Sequence, residues 1–217
     1  YCGMEAGNVL TDVLFGRVNP SGKLPESMPY CMEDCGAVAL GEYPGRPLNE
    51  EEKARMDAHT TMTYKDGIYV GYRYYEKYKV PVQFGFGHGL SYTTFDYSDY
   101  RVFTLAAGES DGLDDTVAIA QVTVTNTGDR AGKEIVQIYV GKSDSAVDRP
   151  VKELRGFDKI ALEAGERKRV SIPLTRRAFT YYNIEEKAFV VEPGTYEIYV
   201  GKSLEDIQEV AEITMSC

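Results

Sequence analysis

Gly7-Asn8-Val9-Leu10-Thr11-Asp12-Val13-Leu14-Phe15-Gly16-Arg17-Val18-Asn19-Pro20-Ser21-Gly22-Lys23-Leu24-Pro25 reads as a short amphipathic helix, a turn and an extended segment. Leu10, Val13 and Leu14 fall at i, i+3 and i+4 on one helical face, with Ala6 one turn earlier. Gly16 stands where a left-handed residue stops a helix. Asn19-Pro20-Ser21-Gly22 is turn chemistry. Pro25 and Pro29 bias the residues before them away from helix, so residues 24–28 are expected to be extended.

Downstream, residues 30–66 are the least regular part, with Gly, Pro, Glu and two cysteines and room for a short helix over 49–57. A loop of that length is unusual inside a compact domain and is often functional. The run Asp66-Gly67-Ile68-Tyr69-Val70-Gly71-Tyr72-Arg73-Tyr74-Tyr75-Glu76 is rich in aromatic and β-branched residues and predicts a strand. A glycine-rich loop follows, Phe84-Gly85-Phe86-Gly87-His88-Gly89-Leu90-Ser91-Tyr92.

From Thr93 the pattern turns all-β. Ala120, Val122 and Val124 alternate with Gln121, Thr123 and Thr125, and Val136, Ile138 and Val140 alternate with Gln137 and Tyr139. Val170, Ile172 and Leu174 alternate with Ser171 and Pro173, and the proline predicts an edge or a strand end. Tyr196, Ile198 and Val200 alternate with Glu197 and Tyr199 after the turn Glu192-Pro193-Gly194. About seven such strands in ~120 residues is the size of an immunoglobulin-like sandwich. Ile138-Tyr139-Val140-Gly141-Lys142-Ser143 and Ile198-Tyr199-Val200-Gly201-Lys202-Ser203 are identical without a surrounding period, so they read as two strands meeting similar demands and not as a solenoid.

Composition narrows the function classes. The 217 residues hold one large or two small domains, and a net charge of −10 excludes a nucleic-acid partner, which needs concentrated Lys and Arg. No apolar run approaches the roughly 18 residues of a membrane helix. No secretory signal is visible at Tyr1, although a piece of a longer chain would have lost one. The acidic run over residues 49–57 reads as a solvated surface. Cys31 and Cys35 are spaced C-x3-C, but no second ligand pair follows and His59 and His88 are far apart, so no metal site is expected. With Cys2 and Cys217 they read as free thiols, which favours a reducing, cytoplasmic compartment over secretion.

Three segments in order carry a family resemblance. The first ends in Val18-Asn19-Pro20-Ser21-Gly22-Lys23-Leu24-Pro25. The second holds Val70-Gly71-Tyr72-Arg73-Tyr74-Tyr75 and Phe86-Gly87-His88-Gly89-Leu90-Ser91-Tyr92. The third holds Asn126-Thr127-Gly128, Arg149-Pro150, Lys152-Glu153-Leu154-Arg155-Gly156-Phe157 and Arg177-Ala178-Phe179. Together they resemble the C-terminal part of glycoside hydrolase family 3, β-glucosidases and related β-xylosidases. The resemblance covers nearly the whole chain and is weakest over 30–66. It implies a mainly β fold, in which an immunoglobulin/fibronectin III-like β-sandwich over 93–217 is preceded by an incomplete α/β sandwich segment over 1–92. It further implies that the chain is a C-terminal fragment of a retaining β-glucosidase-like hydrolase, with the fibronectin-like domain in a structural role. The alternative is a stand-alone carbohydrate-binding or adhesion module without catalysis.

Retaining hydrolysis needs two carboxyl groups about 5–5.5 Å apart, one a nucleophile and one a general acid/base. The resemblance places the nucleophile on a (β/α)8 barrel and the acid/base upstream of the segment that begins here. Neither motif has a counterpart in this sequence, so no catalytic residue is assigned. Family members place the barrel before or after the fibronectin-like domain, and both orders stay open. The implied partners are a β-linked glycoside, bound through the missing catalytic domains, and the remainder of the parent enzyme, with no membrane partner. A homo-oligomer stays open, and no cofactor is expected.

Candidate substrate-binding residues are Arg73, Tyr74, Tyr43 and Tyr64. Arg73 among tyrosines could wall a sugar subsite, since sugars stack on rings and bond to guanidinium, but inter-domain packing is the favoured reading because the segment leads directly into the domain junction. Tyr43 and Tyr64 with the 30–66 loop could reach an active site as a lid. His88 lacks the Ser or Cys partner and orienting carboxylate of a catalytic histidine and reads as a residue of the domain junction. The loop around it lacks the spacing of a phosphate-binding loop. Tyr139, Tyr181, Tyr182 and Tyr199 could form a carbohydrate platform, but half-buried strand tyrosines are the commoner explanation and the chain has no Trp.

Overall fold

Gly16 ends the first helix as expected. In the computed structural model, which describes residues 3–47, 49, 51, 60–105 and 112–216, helix α1 covers Ala6–Leu14. Gly16 follows at φ 70°, and its N–H reaches the Val13 carbonyl. Val9, Leu10, Leu14 and Phe15 on this helix and its end are each more than half exposed. Beyond it come β1 (Met28–Pro29), a 3-10 turn (Met32–Asp34), α2 (Gly36–Ala39), β2 (Arg46–Pro47) and β3 (Thr60–Thr61). β2 pairs with β3, and β1 with β4 (Val82–Phe84). Most of the helix expected over 49–57 lies outside the described residues, as do His59, Cys2 and Cys217.

The run 66–76 departs from its predicted strand. Tyr72–Tyr78 is a helix, α3, entered through Gly71 at φ 62° and closed by Lys79 at φ 54°. Tertiary partners explain the outcome. Tyr72, Arg73, Glu76 and Lys77 lie within one turn and a half, and all four meet the sandwich. The Leu154 N–H donates to the Tyr72 hydroxyl, Arg73 pairs with Glu153 at 2.6 Å, Glu76 with Lys152, and Lys77 with Asp148 at 2.6 Å. Tyr74 and Tyr78 pack on one another with ring centroids 5.0 Å apart. A strand would alternate these positions between two faces and reach only half of the partners. The β propensity of the aromatics therefore yields to context.

The remaining strands are β5 (Phe95–Thr104), β6 (Thr116–Asn126), β7 (Gly132–Gly141), β8 (Lys152–Leu162), β9 (Arg167–Thr175), β10 (Thr180–Asn183), β11 (Ala188–Val191), β12 (Gly194–Gly201) and β13 (Ile207–Met215). Seven of them make the sandwich: a sheet in the order β5-β6-β9 faces one in the order β13-β12-β7-β8. β10 and β11 form a separate hairpin. Ala120, Val122 and Val124 from one sheet meet Val136, Ile138, Ile198 and Val200 from the other in the core. Pro173 sits on β9, an edge strand, where its missing N–H costs no ladder bond.

The two identical hexapeptides are antiparallel neighbours. Tyr139 stands opposite Tyr199, Val140 opposite Ile198 and Ile138 opposite Val200. Each presents its branched residues to the core. Tyr139 points to the other face of the sheet and is nevertheless 0% exposed. The glycine-rich loop covers it. The Tyr139 hydroxyl donates to Gln137 Oε1 at 2.6 Å, and Gln137 Nε2 donates to the carbonyls of Gly87 and Lys202. Phe86 lies on Tyr72 with centroids 4.5 Å apart, and its carbonyl accepts from the Leu204 N–H.

Gly87 has φ 80°, and a Cβ there would stand 2.2 Å from Gln137 Oε1. Because three bonds hold that amide, it cannot swing away. Gly87→Ala is therefore expected to destabilise the chain by about 2–3 kcal/mol. Gly165→Ala, equally strained at φ 74° but in open space, is expected to cost about 1 kcal/mol. Denaturant midpoints of the two variants check the difference, and equal midpoints would contradict it.

Candidate functional site

The turn Asn19-Pro20-Ser21-Gly22 places one short side chain between three segments. Asn19 Nδ2 donates to the Ala131 carbonyl, and its Oδ1 accepts from the Ser91 hydroxyl at 3.0 Å and the Tyr92 N–H at 2.8 Å. The Tyr92 hydroxyl returns to the Val13 carbonyl at the end of α1. Lys23 pairs with Glu134 at 2.9 Å, with both side chains largely buried. The backbone of Leu24 exchanges bonds with Gly87 and His88. Thr93 then donates to Asn126 Oδ1 at the entrance of the sandwich. These ties bind α1, its turn and the glycine-rich loop to one end of the β-sandwich.

At the other end of the junction, α3 supplies the charges. Burial pushes the Glu76 carboxyl up, against the pull of its bond to Lys152, and the Glu205 charge adds to the rise. Asp148 is held below its ordinary value by Lys77 and by the Tyr69 hydroxyl. Burial pushes Glu192 up, but bonds from Ser145 and the Ala146 N–H, with Lys142 and Arg149 nearby, outweigh it and hold the carboxyl down. Glu76, Glu134, Asp148, Glu153 and Glu192 thus each have a cation beside them. Such an arrangement braces a junction. It leaves none of these five carboxylates without a neighbouring cation.

The four candidate residues fall in different surroundings. Tyr74 is 7% exposed, with its ring against Gly36 of α2, so it links the 30–66 segment to α3. Arg73 leaves the same helix toward Glu153 and stands on the wall of a cleft. Tyr43 and Tyr64 are both exposed. Their two stretches of chain are tied by neighbouring residues, because the buried Glu42 carboxylate accepts the backbone N–H groups of Lys65 and Asp66. His88 is half-buried with its ring 5.1 Å from Phe84, and Ser91 gives its proton to Asn19. Cys31 and Cys35 are free thiols. The Cys31 thiol is bonded to Asp34, which pushes its pKa up.

Two clefts flank the junction. The smaller, about 380 Å³, includes Lys23, His88, Glu134 and Lys202. The larger, about 830 Å³, lies between α3, the β7–β8 loop, the start of β8 and the β10–β11 hairpin. Its wall carries Arg73, Arg149, Arg155 and Arg177, with Tyr181, Tyr182 and Phe189. Sequence reasoning did not assemble Arg149, Arg155 and Phe189 here. Their positions are scattered across three strands or loops, and no spacing joins them.

Residues 1–92 match the Glycosyl hydrolase family 3 C-terminal domain, and residues 134–204 match the Fibronectin type III-like domain. The chain is similar to Thermostable beta-glucosidase B of Acetivibrio thermocellus, 45% identical over 208 residues, which are 95% of this chain and 25% of that protein. It is 41% identical to Beta-glucosidase BoGH3A of Bacteroides ovatus over 210 residues, 96% of this chain and 26% of that one. Among solved structures, the GH3 beta-glucosidase of Bifidobacterium adolescentis superposes with a TM-score of 0.81 at 37% identity, covering 96% of this chain and 28% of that one. The chain thus spans about a quarter of the length of the relatives it matches.

Removing the cation from the Glu76–Lys152 pair would leave a carboxylate in a largely buried place. Lys152→Met is expected to cost about 3 kcal/mol at neutral pH. The folded pKa of Glu76 is raised, so the folded chain takes up that proton before the unfolded chain does. The deficit should shrink as the pH falls toward the ordinary carboxylate range. Thermal unfolding of Lys152→Met at neutral and at mildly acidic pH checks this, and a deficit that grows on acidification would contradict it.

Proposed function

We propose that this chain, which belongs to glycosyl hydrolase family 3 through its C-terminal domain, serves as the braced C-terminal part of a retaining β-glucosidase. Residues 1–92 would be the end of the α/β sandwich domain with its connection, and residues 93–217 the fibronectin type III-like domain. The observation that carries this reading is the state of α1. Its turn is tied to the sandwich through Asn19 and Tyr92, yet Val9, Leu10, Leu14 and Phe15 face outward. Exposed apolar residues on one short helix call for another layer over them. Relatives about four times as long supply room for that layer.

In this reading the nucleophile and the acid/base reside outside these 217 residues, and the sandwich contributes position without chemistry. Tyr43 and Tyr64, exposed on stretches that Glu42 ties through Lys65 and Asp66, extend from the 30–66 segment toward the substrate. Arg73 and Tyr74 hold that segment and the sandwich in a fixed relation.

Hydrolysis of nitrophenyl β-glycosides by this chain, beside the longest form of its gene product, tests the proposal. Turnover of the β-glucoside is expected in the long form alone. In that form, Leu10→Asp with Leu14→Asp should abolish most of the turnover by unseating α1. Turnover by the 217-residue chain would mean that its own carboxylates form a site, and silence from both would contradict the β-glucosidase reading.

A further inference from the structure

Glu42 and Glu134 are the buried carboxylates among the described residues, and Glu42, at 3% exposure, has its place set from two sides. Helix α2 ends in a Schellman turn. Gly41 stands at φ 71°, its N–H reaches the Val38 carbonyl, and the Glu42 N–H reaches the Ala37 carbonyl. α2 in turn is seated on α3, since a Cβ on Gly36 would stand 3.2 Å from the Tyr74 ring. From this mount a single carboxylate oxygen, Oε1, accepts the N–H of Lys65 and, at 2.9 Å, the N–H of Asp66. The Lys65 ammonium donates to the Leu40 carbonyl at the end of α2, at 3.0 Å.

The chain that leaves at Tyr43 therefore returns at Lys65 beside its own root. β2 and β3 pair just beyond, with Arg46 opposite Thr61 and Pro47 opposite Thr60. So short a ladder does not hold an orientation unaided. The charged acceptor at the root supplies the constraint, because charge-assisted hydrogen bonds are the stronger kind. Tyr43, Met62 and Tyr64 on this ledge are all exposed. Rings kept in water add nothing to the core, yet the backbone that carries them is tied to α3, and through α3 to the sandwich. Side chains ordered in advance lower the entropy cost of holding a ligand.

We propose that Glu42 is the positioning residue of the β2–β3 ledge: it sets the orientation in which Tyr43 and Tyr64 meet substrate, without touching substrate itself. This inference rests on the β-glucosidase reading above, and two readouts separate them. Amide exchange followed by NMR in the 217-residue chain reads the clasp. In Glu42→Ala the Lys65 and Asp66 amides should exchange at least about tenfold faster, with α3 unchanged. In Glu42→Gln, which keeps an accepting oxygen, they should stay slow. Kinetics of the longest gene product on nitrophenyl β-glucoside reads the positioning. Glu42→Ala should raise KM about five- to tenfold with kcat within about twofold, and Glu42→Gln should restore KM. A substitution that merely weakened the fold would lower the amount of active enzyme, and hence kcat, while leaving KM in place. Glu42→Asp, whose acceptor falls one methylene short, should raise KM about threefold and carries the test if thermal unfolding shows the alanine variant unfolded. Unchanged exchange in Glu42→Ala would overturn the clasp. Faster exchange with an unchanged KM, or a loss in kcat alone, would overturn the positioning role. An unsubstituted long form without turnover would overturn the β-glucosidase reading and the positioning role with it, while the exchange result still decides the clasp.

Discussion

The structure depends on the burial of one amide. Gln137 projects from the outer face of the four-stranded sheet, where a sandwich usually meets water, and its bonds to Tyr139, Gly87 and Lys202 occupy both of its polar atoms. The glycine-rich loop must lie flat on the sheet for these bonds to form. Only a glycine fits at position 87, because the backbone is left-handed and the amide is in the way. Covering Tyr139 in this manner removes a large ring from water, a gain of about 4 kcal/mol by area. The sheet thereby becomes a buried middle layer instead of an outer wall.

Everything upstream inherits its position from that layer. The loop carries β4 and Ser91, β4 pairs with β1, and Asn19 connects Ser91 to the turn after α1. On the other side α3 is pinned through Tyr72, Arg73, Glu76 and Lys77, and Tyr74 passes the constraint on to α2. The charged pairs along α3 add geometry more than stability, since exposed pairs such as Lys77–Asp148 are worth little. One face of the first 92 residues is thus fixed by the sandwich, while the α1 face stays open. This asymmetry suits a module that holds a larger catalytic body in place.

Much of the architecture was legible because local signals agreed with the tertiary outcome. The end of α1 at Gly16, the alternation in β6, β7, β9 and β12, and the edge position of Pro173 all follow from residue chemistry within a few positions. The identical hexapeptides were visible, but their mutual pairing was not, since strand order is a long-range property. The run 66–76 failed for a related reason: its tyrosines look like a strand, and the partners that make α3 a helix lie some 75 residues away in β8 and the loop before it. The larger cleft was illegible as a unit, because Arg73, Arg149, Arg155 and Tyr182 converge only after the hairpin folds beside β8. In the sequence Tyr182 reads as a surface ring, and its setting beside Phe189 and the arginines follows only from the fold.

Amide hydrogen exchange across the 217-residue chain and its longest gene product tests the central claim directly. In the short chain, strong protection is predicted from 82 through 103 and across α3, where backbone groups are tied into the sandwich, with weak protection in α1. In the long form α1 should become strongly protected as its apolar face is covered. Strong protection of α1 in the short chain, or no change in the long form, would contradict the account of a module braced on one face and open on the other.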